Sequence, residues 1–310
     1  MTTPSMSGSN KSTNVRAFTI ERAVRAGLHA VEAASPPLAA AIGERLMFHT
    51  LRARRRDDER AVLARGRRFE VESRAGRVVA WSFGEGPLVV LVHGWNGRGG
   101  QLRAFVDPLV ERGARVVLFD APGHGSSAGS ESSLVDFADA LDAVLDEARP
   151  AFGPAQAVIA HSMGGAAVTY AMSRTKRSPA TSLDRGIRDT GLPVRRFAFV
   201  APPIDVRDFV RGFRRRFDLT EETERALGRR LVARFSLDLA ELYAPALAEE
   251  LTAPLLVVHD ADDREVPLRC GETLAAAWPG AELEVTHGLG HTRVLRDPGV
   301  IERISDFVMR

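Results

Sequence analysis

Several things are scarce in this chain of 310 residues, and each scarcity excludes something. There is one cysteine, Cys270, so no internal disulfide can form and nothing calls for an oxidising compartment. A lone thiol also offers no paired-cysteine metal site, and no His-Glu-x-x-His spacing occurs, so no metal is expected. Lysine is nearly missing: only Lys11 and Lys176 stand among the 42 basic residues, and the arginine and alanine bias suits a GC-rich bacterial genome better than it suits a function. Excess charge is missing too, since 42 basic against 40 acidic residues leaves +2, too little for the electrostatic footprint of a nucleic-acid partner. No run reaches the roughly 18 apolar residues of a membrane span. The first dozen residues lack the basic start and apolar run of a secretory signal. The expectation is a cytoplasmic protein with no nucleic-acid partner and no integral membrane association. What is present is material for a core, with 45% of residues hydrophobic.

The chain divides by pattern. Residues 1–14 are polar, small and aperiodic, and read as a disordered tail. Over 15–67 the pattern is helical: Phe18, Ala23, Leu28 and Val31 recur at helical steps, and Pro36-Pro37 breaks the run before a second segment begins. The run Arg52, Arg54, Arg55, Arg56 stands beside Asp57, Asp58 and Glu59 and reads as a salt-bridged exposed face. Residues 68–310 then read as an α/β body. Phe69 to Glu72 and Val78 to Trp81 flank Arg74-Ala75-Gly76, a hairpin signal. Near-continuous apolar runs follow at Leu88–Val92, Val116–Phe119, Ala157–Ile159, Phe197–Val200 and Leu255–Val258, as expected of parallel strands covered on both faces. Glu282 to Val285 adds a strand and Val300 to Met309 a closing helix. Residues 201–250 contain no good strand, and Phe209, Phe213, Phe217, Leu227 and Leu231 give them apolar helical faces, which predicts a small helical lid. The polar stretch Arg174 to Arg196 predicts a surface connection with one short helix.

The chemistry is concentrated at Ala160-His161-Ser162-Met163-Gly164. This pentapeptide ends an apolar run and opens onto the small residues of a helix, and such a strand-to-helix turn displays the serine hydroxyl above a sheet. A serine hydroxyl needs a base, and the base needs an acid to orient it. Downstream lie Asp260, Asp262 and Asp263 after one strand and Gly288-Leu289-Gly290-His291 after the next, so nucleophile, acid and base run in the order Ser, Asp, His. Gly97, Gly99 and Gly100 lack the Gly-Lys-Ser/Thr ending of a phosphate loop and read as a flexible loop, so no nucleotide cofactor is expected.

These motifs, in this order, resemble the α/β-hydrolase family over Phe69 to Arg310. The resemblance implies an α/β-hydrolase fold with a mostly parallel central sheet, flanking helices and a small helical lid, preceded here by an N-terminal helical extension. It implies Ser162 as nucleophile and His291 as base. It implies Asp263 as acid, favoured over Asp260 and Asp262 by its spacing to Val266-Pro267. His93-Gly94-Trp95 resembles the family's oxyanion loop, which would make the Trp95 and Met163 amides the oxyanion donors. The Trp95 ring, with Phe209 and Phe213 of the lid, would line the acyl pocket. Asp120-Ala121-Pro122-Gly123-His124-Gly125-Ser126-Ser127 is similar to a turn that shapes the site, with Asp120 holding the turn and His93 and His161 acting as structural flanks. Ala160 departs from the family's usual glycine. The implied activity is hydrolysis of a small-molecule ester or thioester through an acyl-enzyme, with no cofactor. C–C hydrolase, lyase or acyltransferase chemistry on the same triad is the alternative, and a non-catalytic ligand-binding role a further one. Arg211, Arg214, Arg215 and Arg216 read as a solvated lid face, with an anionic acyl group or a membrane surface as the rival partners.

Overall fold

The computed structural model describes residues 9–152, 155–177 and 194–310. The chain forms two compact units: one takes in the chain up to Met47 together with Val206–Ala240, the other Phe48–Asp205 and Glu241–Arg310.

The larger unit is built on an eight-stranded sheet in the order β1-β2-β4-β3-β5-β6-β7-β8. The predicted hairpin is β1 (Arg67–Ser73) and β2 (Gly76–Phe83), paired antiparallel with Ser73 opposite Gly76. β2 runs antiparallel to β4 (Arg115–Asp120). From there the sheet is parallel through β3 (Leu88–Val92), β5 (Ala157–His161), β6 (Arg196–Val200), β7 (Leu255–Asp260) and β8 (Glu282–Thr286). Every residue of β3, β5 and β7 is buried, which is why these strands read as unbroken apolar runs. Each fully buried Val, Leu or Ile side chain contributes roughly 1.5–3 kcal/mol by removal from water. β8 lies at an edge, and there the burial lapses, leaving Leu283 and Val285 exposed on either side of Glu284. Arg303 of the closing helix pairs with Glu282 and Glu284, and edge charges of this kind discourage pairing with another sheet.

From β3 the chain moves to β4 on one side and then crosses to β5 on the other. A crevice opens above the carboxyl ends of strands where strand order reverses in this way, and the loops following β3 and β5 meet there. Helices α3 (Asp57–Arg65), α4 (Val106–Glu111), α5 (Leu134–Phe152) and α6 (Met163–Arg177) belong to this unit. α3 was expected to belong with the preceding helices. Instead it packs on the 3-10 turn Gly99–Phe105, with Leu63 in the core and Glu59 buried against Arg98 through bonds of 2.6 and 2.9 Å. The predicted connection 174–196 starts later than its polarity suggested, because α6 continues to Arg177; residues 178–193 lie outside the described residues.

The smaller unit joins α1 (Ser9–Ala34) and α2 (Pro36–Phe48, through Met47) to the pair α7 (Val206–Phe217) and α8 (Glu221–Phe235). α1 begins at Ser9, inside the stretch read as a disordered tail. The helix extends through weak helix formers because adding residues to an existing helix is far easier than nucleating one. Residues 1–8 lie outside the described residues. The helices are laced by side chains. Arg25 donates to Asp218 at 2.6 Å, Arg216 to Glu21 at 3.0 Å and Arg230 to Glu44 at 2.6 Å, and the Thr220 amide donates to Glu32 at 2.8 Å. Most of the arginines read as a solvated face are therefore ion-paired: Arg211 with Asp208, Arg214 with Glu224 and Arg216 with Glu21. The helical insertion is also shorter than 201–250. Helix α9 (Ala244–Ala248) belongs to the larger unit, where the Ala244 amide donates to Ile204 O at 2.9 Å. Helices α10 (Leu268–Ala277), α11 (Gly290–Arg293) and α12 (Pro298–Met309) complete that unit. Among the described residues no helix is long and apolar enough to cross a membrane.

Candidate active site

Ser162 sits between the end of β5 and the start of α6 with φ of 51°, in the left-handed region. A residue with a Cβ is strained there by roughly 1–2 kcal/mol. The turn is fixed from both sides, because the Ser162 amide donates to Val200 O and the Gly165 amide to Ser162 O, each at 2.8 Å. Small neighbours are required by packing. A Cβ on Gly164 would lie 2.7 Å from the His93 carbonyl oxygen, and one on Gly94 would lie 2.9 Å from Ser162 Cβ. Ala160, where the family usually has glycine, is wholly buried in β5. Met163 is the first residue of α6, so its amide is among those a helix leaves without an intrahelical acceptor.

The three aspartates after β7 have separate tasks. Asp263 is joined to His291, whose Nδ1 lies 2.7 Å from Asp263 Oδ2. Its other oxygen accepts the amides of Glu265 and Val266 at 2.8 and 3.0 Å, so Nδ1 is the donor to an oriented acceptor. The carboxyl side chain is fully buried, which disfavours its charge, but the His291 bond and the two amides outweigh burial and hold its pKa below the ordinary value. His259 supports this loop from beneath, its Nε2 donating to Val266 O at 2.9 Å. Asp260 ties the loop after β7 to the loop after β8. It accepts from the Gly290 amide at 2.8 Å, the Thr286 hydroxyl at 2.8 Å and the Leu289 amide at 3.1 Å. Burial opposes its ionisation, and these bonds prevail, lowering its pKa. Asp262 accepts the Gly288 amide at 2.8 Å. Only Asp263, of the three, holds the His291 ring.

His161, immediately before Ser162, brings His291 to the elbow. Its Nε2 donates to the His291 carbonyl at 2.9 Å, and the two rings lie 4.6 Å apart. Complete burial, with the nearby His291 ring, pushes the His161 pKa down to about 3, so this imidazole is neutral and carries its proton on Nε2.

On the opposite flank stands the loop His93–Gly97. His93 accepts the Ala121 amide on Nε2 at 2.9 Å and donates from Nδ1 to Gly94 O at 2.7 Å. His124 accepts the Asn96 amide on Nε2 at 3.0 Å and donates from Nδ1 to Pro122 O at 2.9 Å. Burial lowers their pKa values to about 4 and about 3, respectively, so both stay neutral with fixed tautomers. The Trp95 ring is half-buried and edge-on to His124 at 5.4 Å. Asp120 holds its turn, accepting the Gly99 amide at 2.9 Å, the Ser126 amide at 2.7 Å and a bond from Arg55. Phe213 packs on Phe217 with ring centroids 4.7 Å apart, next to Gly43 of α2, while Phe209 is exposed on the same helix. Both belong to the smaller unit. Cys270 is buried in α10. Among the described residues no group of three or more His, Cys, Asp or Glu side chains could hold a metal ion.

Asn96, Asp260, Arg52 and Arg55 are the structural supports that sequence reasoning missed. The signal available for Asn96 is its tolerance of left-handed backbone, used here at φ of 52°.

A strand-turn-helix serine, a histidine paired to a carboxylate and an eight-stranded, mostly parallel sheet define a class. Residues 89–304 match the model of the alpha/beta hydrolase family, and the chain belongs to that family. It is an enzyme of that family, and its relatives are named as hydrolases and esterases. The 2-hydroxy-6-oxononadienedioate/2-hydroxy-6-oxononatrienedioate hydrolase 1 of Dechloromonas aromatica is 34% identical over 243 residues, covering 66% of this chain and 80% of that protein. The pimeloyl-[acyl-carrier protein] methyl ester esterase of Vibrio campbellii is 40% identical over 90 residues, 29% of this chain and 32% of its own. A Pyrococcus furiosus esterase has the same fold, with a TM-score of 0.60 at 18% identity, covering 84% of this chain and 98% of that one.

Proposed function

We propose that the protein is a serine hydrolase that cleaves a carboxylic ester or thioester through an acyl-enzyme, with Ser162, His291 and Asp263 as its triad. The observation that carries this reading is the 2.7 Å bond from His291 Nδ1 to Asp263 Oδ2 on a histidine docked against the elbow through His161. His291 Nε2 takes the Ser162 proton as Oγ attacks the carbonyl carbon, and Asp263 stabilises the imidazolium. The Trp95 and Met163 amides stabilise the oxyanion. The imidazolium protonates the departing alkoxide or thiolate, the acyl-enzyme remains, and water activated by His291 releases the acid. None of these steps calls on a cofactor.

A second reading, C–C bond hydrolysis, is favoured by the Dechloromonas relative, whose name specifies an oxo-dienedioate substrate. One panel separates the two: nitrophenyl esters of increasing chain length, matching thioesters, and a 2-hydroxy-6-oxo-dienedioate. Ester turnover by the wild type and not by Ser162→Ala supports the first reading, and turnover confined to the dienedioate supports the second. Failure of a fluorophosphonate to label Ser162 in folded protein at neutral pH would sink both.

A further inference from the structure

Residues 49–56, between α2 and α3, form no helix and no named strand, yet they are bound closely to two turns of the larger unit. The Thr50 amide donates to Ser130 O at 2.9 Å and its hydroxyl to Gly123 O at 2.6 Å. Arg52 spreads its guanidinium over four carbonyls: Gly123 at 3.1 Å, Gly125 at 3.1 Å, Ser127 at 2.6 Å and Gly129 at 2.5 Å. Arg55 reaches Asp120 and the Ser126 hydroxyl. The strap so anchored presents the Leu51 amide to Asn96 Oδ1 at 2.8 Å.

Asn96 is thus gripped twice, through its side chain by Leu51 and through its own amide by His124. Its left-handed backbone turns the chain so that the Gly97 amide meets Gly94 O at 3.0 Å, the same oxygen that accepts from His93 Nδ1. The peptide joining Gly94 to Trp95 is planar and trans, so anchoring its carbonyl on one side fixes the Trp95 N–H on the other. Gly94 itself lies against Ser162, which puts that peptide beside the nucleophile.

We propose that the strap, acting through Asn96, holds the Gly94–Trp95 peptide in the orientation that presents the Trp95 amide to the developing oxyanion, which makes Asn96 a positioning residue. The inference rests on the serine-hydrolase reading above. A donor used only as charge develops affects kcat more than KM.

The test is steady-state kinetics on a nitrophenyl ester, with thermal melting of each variant alongside. Glycine keeps the positive φ and removes the Leu51 acceptor, so Asn96→Gly should lower kcat by about tenfold with KM little changed, short of the full loss of an oxyanion donor. Asn96→Asp keeps both the acceptor and the tolerance of that backbone, and should restore kcat to within about twofold of wild type. Arg52→Ala, acting one step further away, should lower kcat by roughly threefold. A lower melting temperature in Asn96→Gly with wild-type kcat would overturn the positioning role, and if Ser162→Ala is dead on the same ester the serine-hydrolase reading stands. A wild type no faster than Ser162→Ala would overturn both.

Discussion

The two flanks of Ser162 are built from different proportions of carboxylate and imidazole. On one side the loops after β7 and β8 are organised by carboxylates: Asp260, Asp262 and Asp263 each accept backbone amides, and Asp263 also takes the His291 ring. On the other, the loop after β3 and the turn after β4 are held by two neutral imidazoles, His93 and His124, and by one carboxylate, Asp120, that is paired to Arg55. The difference follows from what each flank must do. In the proposed mechanism the first prepares for a positive charge on His291 and needs a fixed negative partner. In that mechanism the second aims amide hydrogens at a nascent anion, and there the buried carboxylate Asp120 is met by Arg55 and held away in the turn after β4.

The largest effect that would break this comparison comes from the shared centre. Ser162→Ala and His291→Ala should each reduce ester kcat by about 10⁴-fold or more with the fold intact by circular dichroism. Asp263→Asn should follow, at roughly 10³- to 10⁴-fold, because the amide no longer enforces the tautomer with a proton on Nδ1. Asp260→Asn should act chiefly on stability. Losing a buried acceptor that ties two loops costs about 1–3 kcal/mol, read as a lower urea midpoint, with a smaller fall in kcat. Asp262→Asn, with one amide bond, should stay within about twofold of wild-type kcat. If Asp260→Asn or Asp262→Asn proves as damaging to kcat as Asp263→Asn, the division of labour among the three is wrong.

Acid sharpens the contrast further. His93, His124 and His161 have folded pKa values lowered to about 4, about 3 and about 3 from 6.5. As pH falls below 6.5 the unfolded chain takes up protons that the folded chain refuses, so stability is full above that value and declines toward pH 4. Each histidine contributes up to about 1.4 kcal/mol per pH unit in that window. Asp260 and Asp263 have depressed pKa values, so their contribution is present above the unfolded value of 3.8 and is lost only as pH falls through the lower folded values. Melting temperature should therefore drop between pH 6.5 and 4 before the carboxylates titrate. His124→Asn, although less stable at pH 7, should show a shallower decline over that range. An unchanged slope would remove the imidazoles of the second flank as the acid-sensitive element.

Much of the fold was legible because its signals are local. Runs such as Leu88–Val92 and Ala157–Ile159 match their strands closely, since a strand covered on both faces must be apolar throughout. The Arg52–Arg56 run was legible only in part. Arg56 does pair with Asp58 at 3.3 Å, but Arg52 and Arg55 reach across some 70 positions to a turn whose acceptors are mainly carbonyls, groups that every residue has and no letter records. The grouping of helices was equally illegible, because amphipathic faces say that a helix must bury a stripe and not against which partner.

The sequence by itself determined that strands, elbow and Ser-Asp-His order belong to an α/β-hydrolase, because periodicity, small residues around Ser162 and motif order are properties of neighbouring letters. The spacing to Val266-Pro267 favoured Asp263, and the tertiary structure joins it to His291; only the tertiary structure decided that Asp260 ties the loops after β7 and β8 together and that the strap grips Asn96 through Leu51. Those contacts depend on distances between segments 28 and 45 residues apart, which the packing of β7 beside β8 and of the strap beside the loop after β3 brings within hydrogen-bond reach.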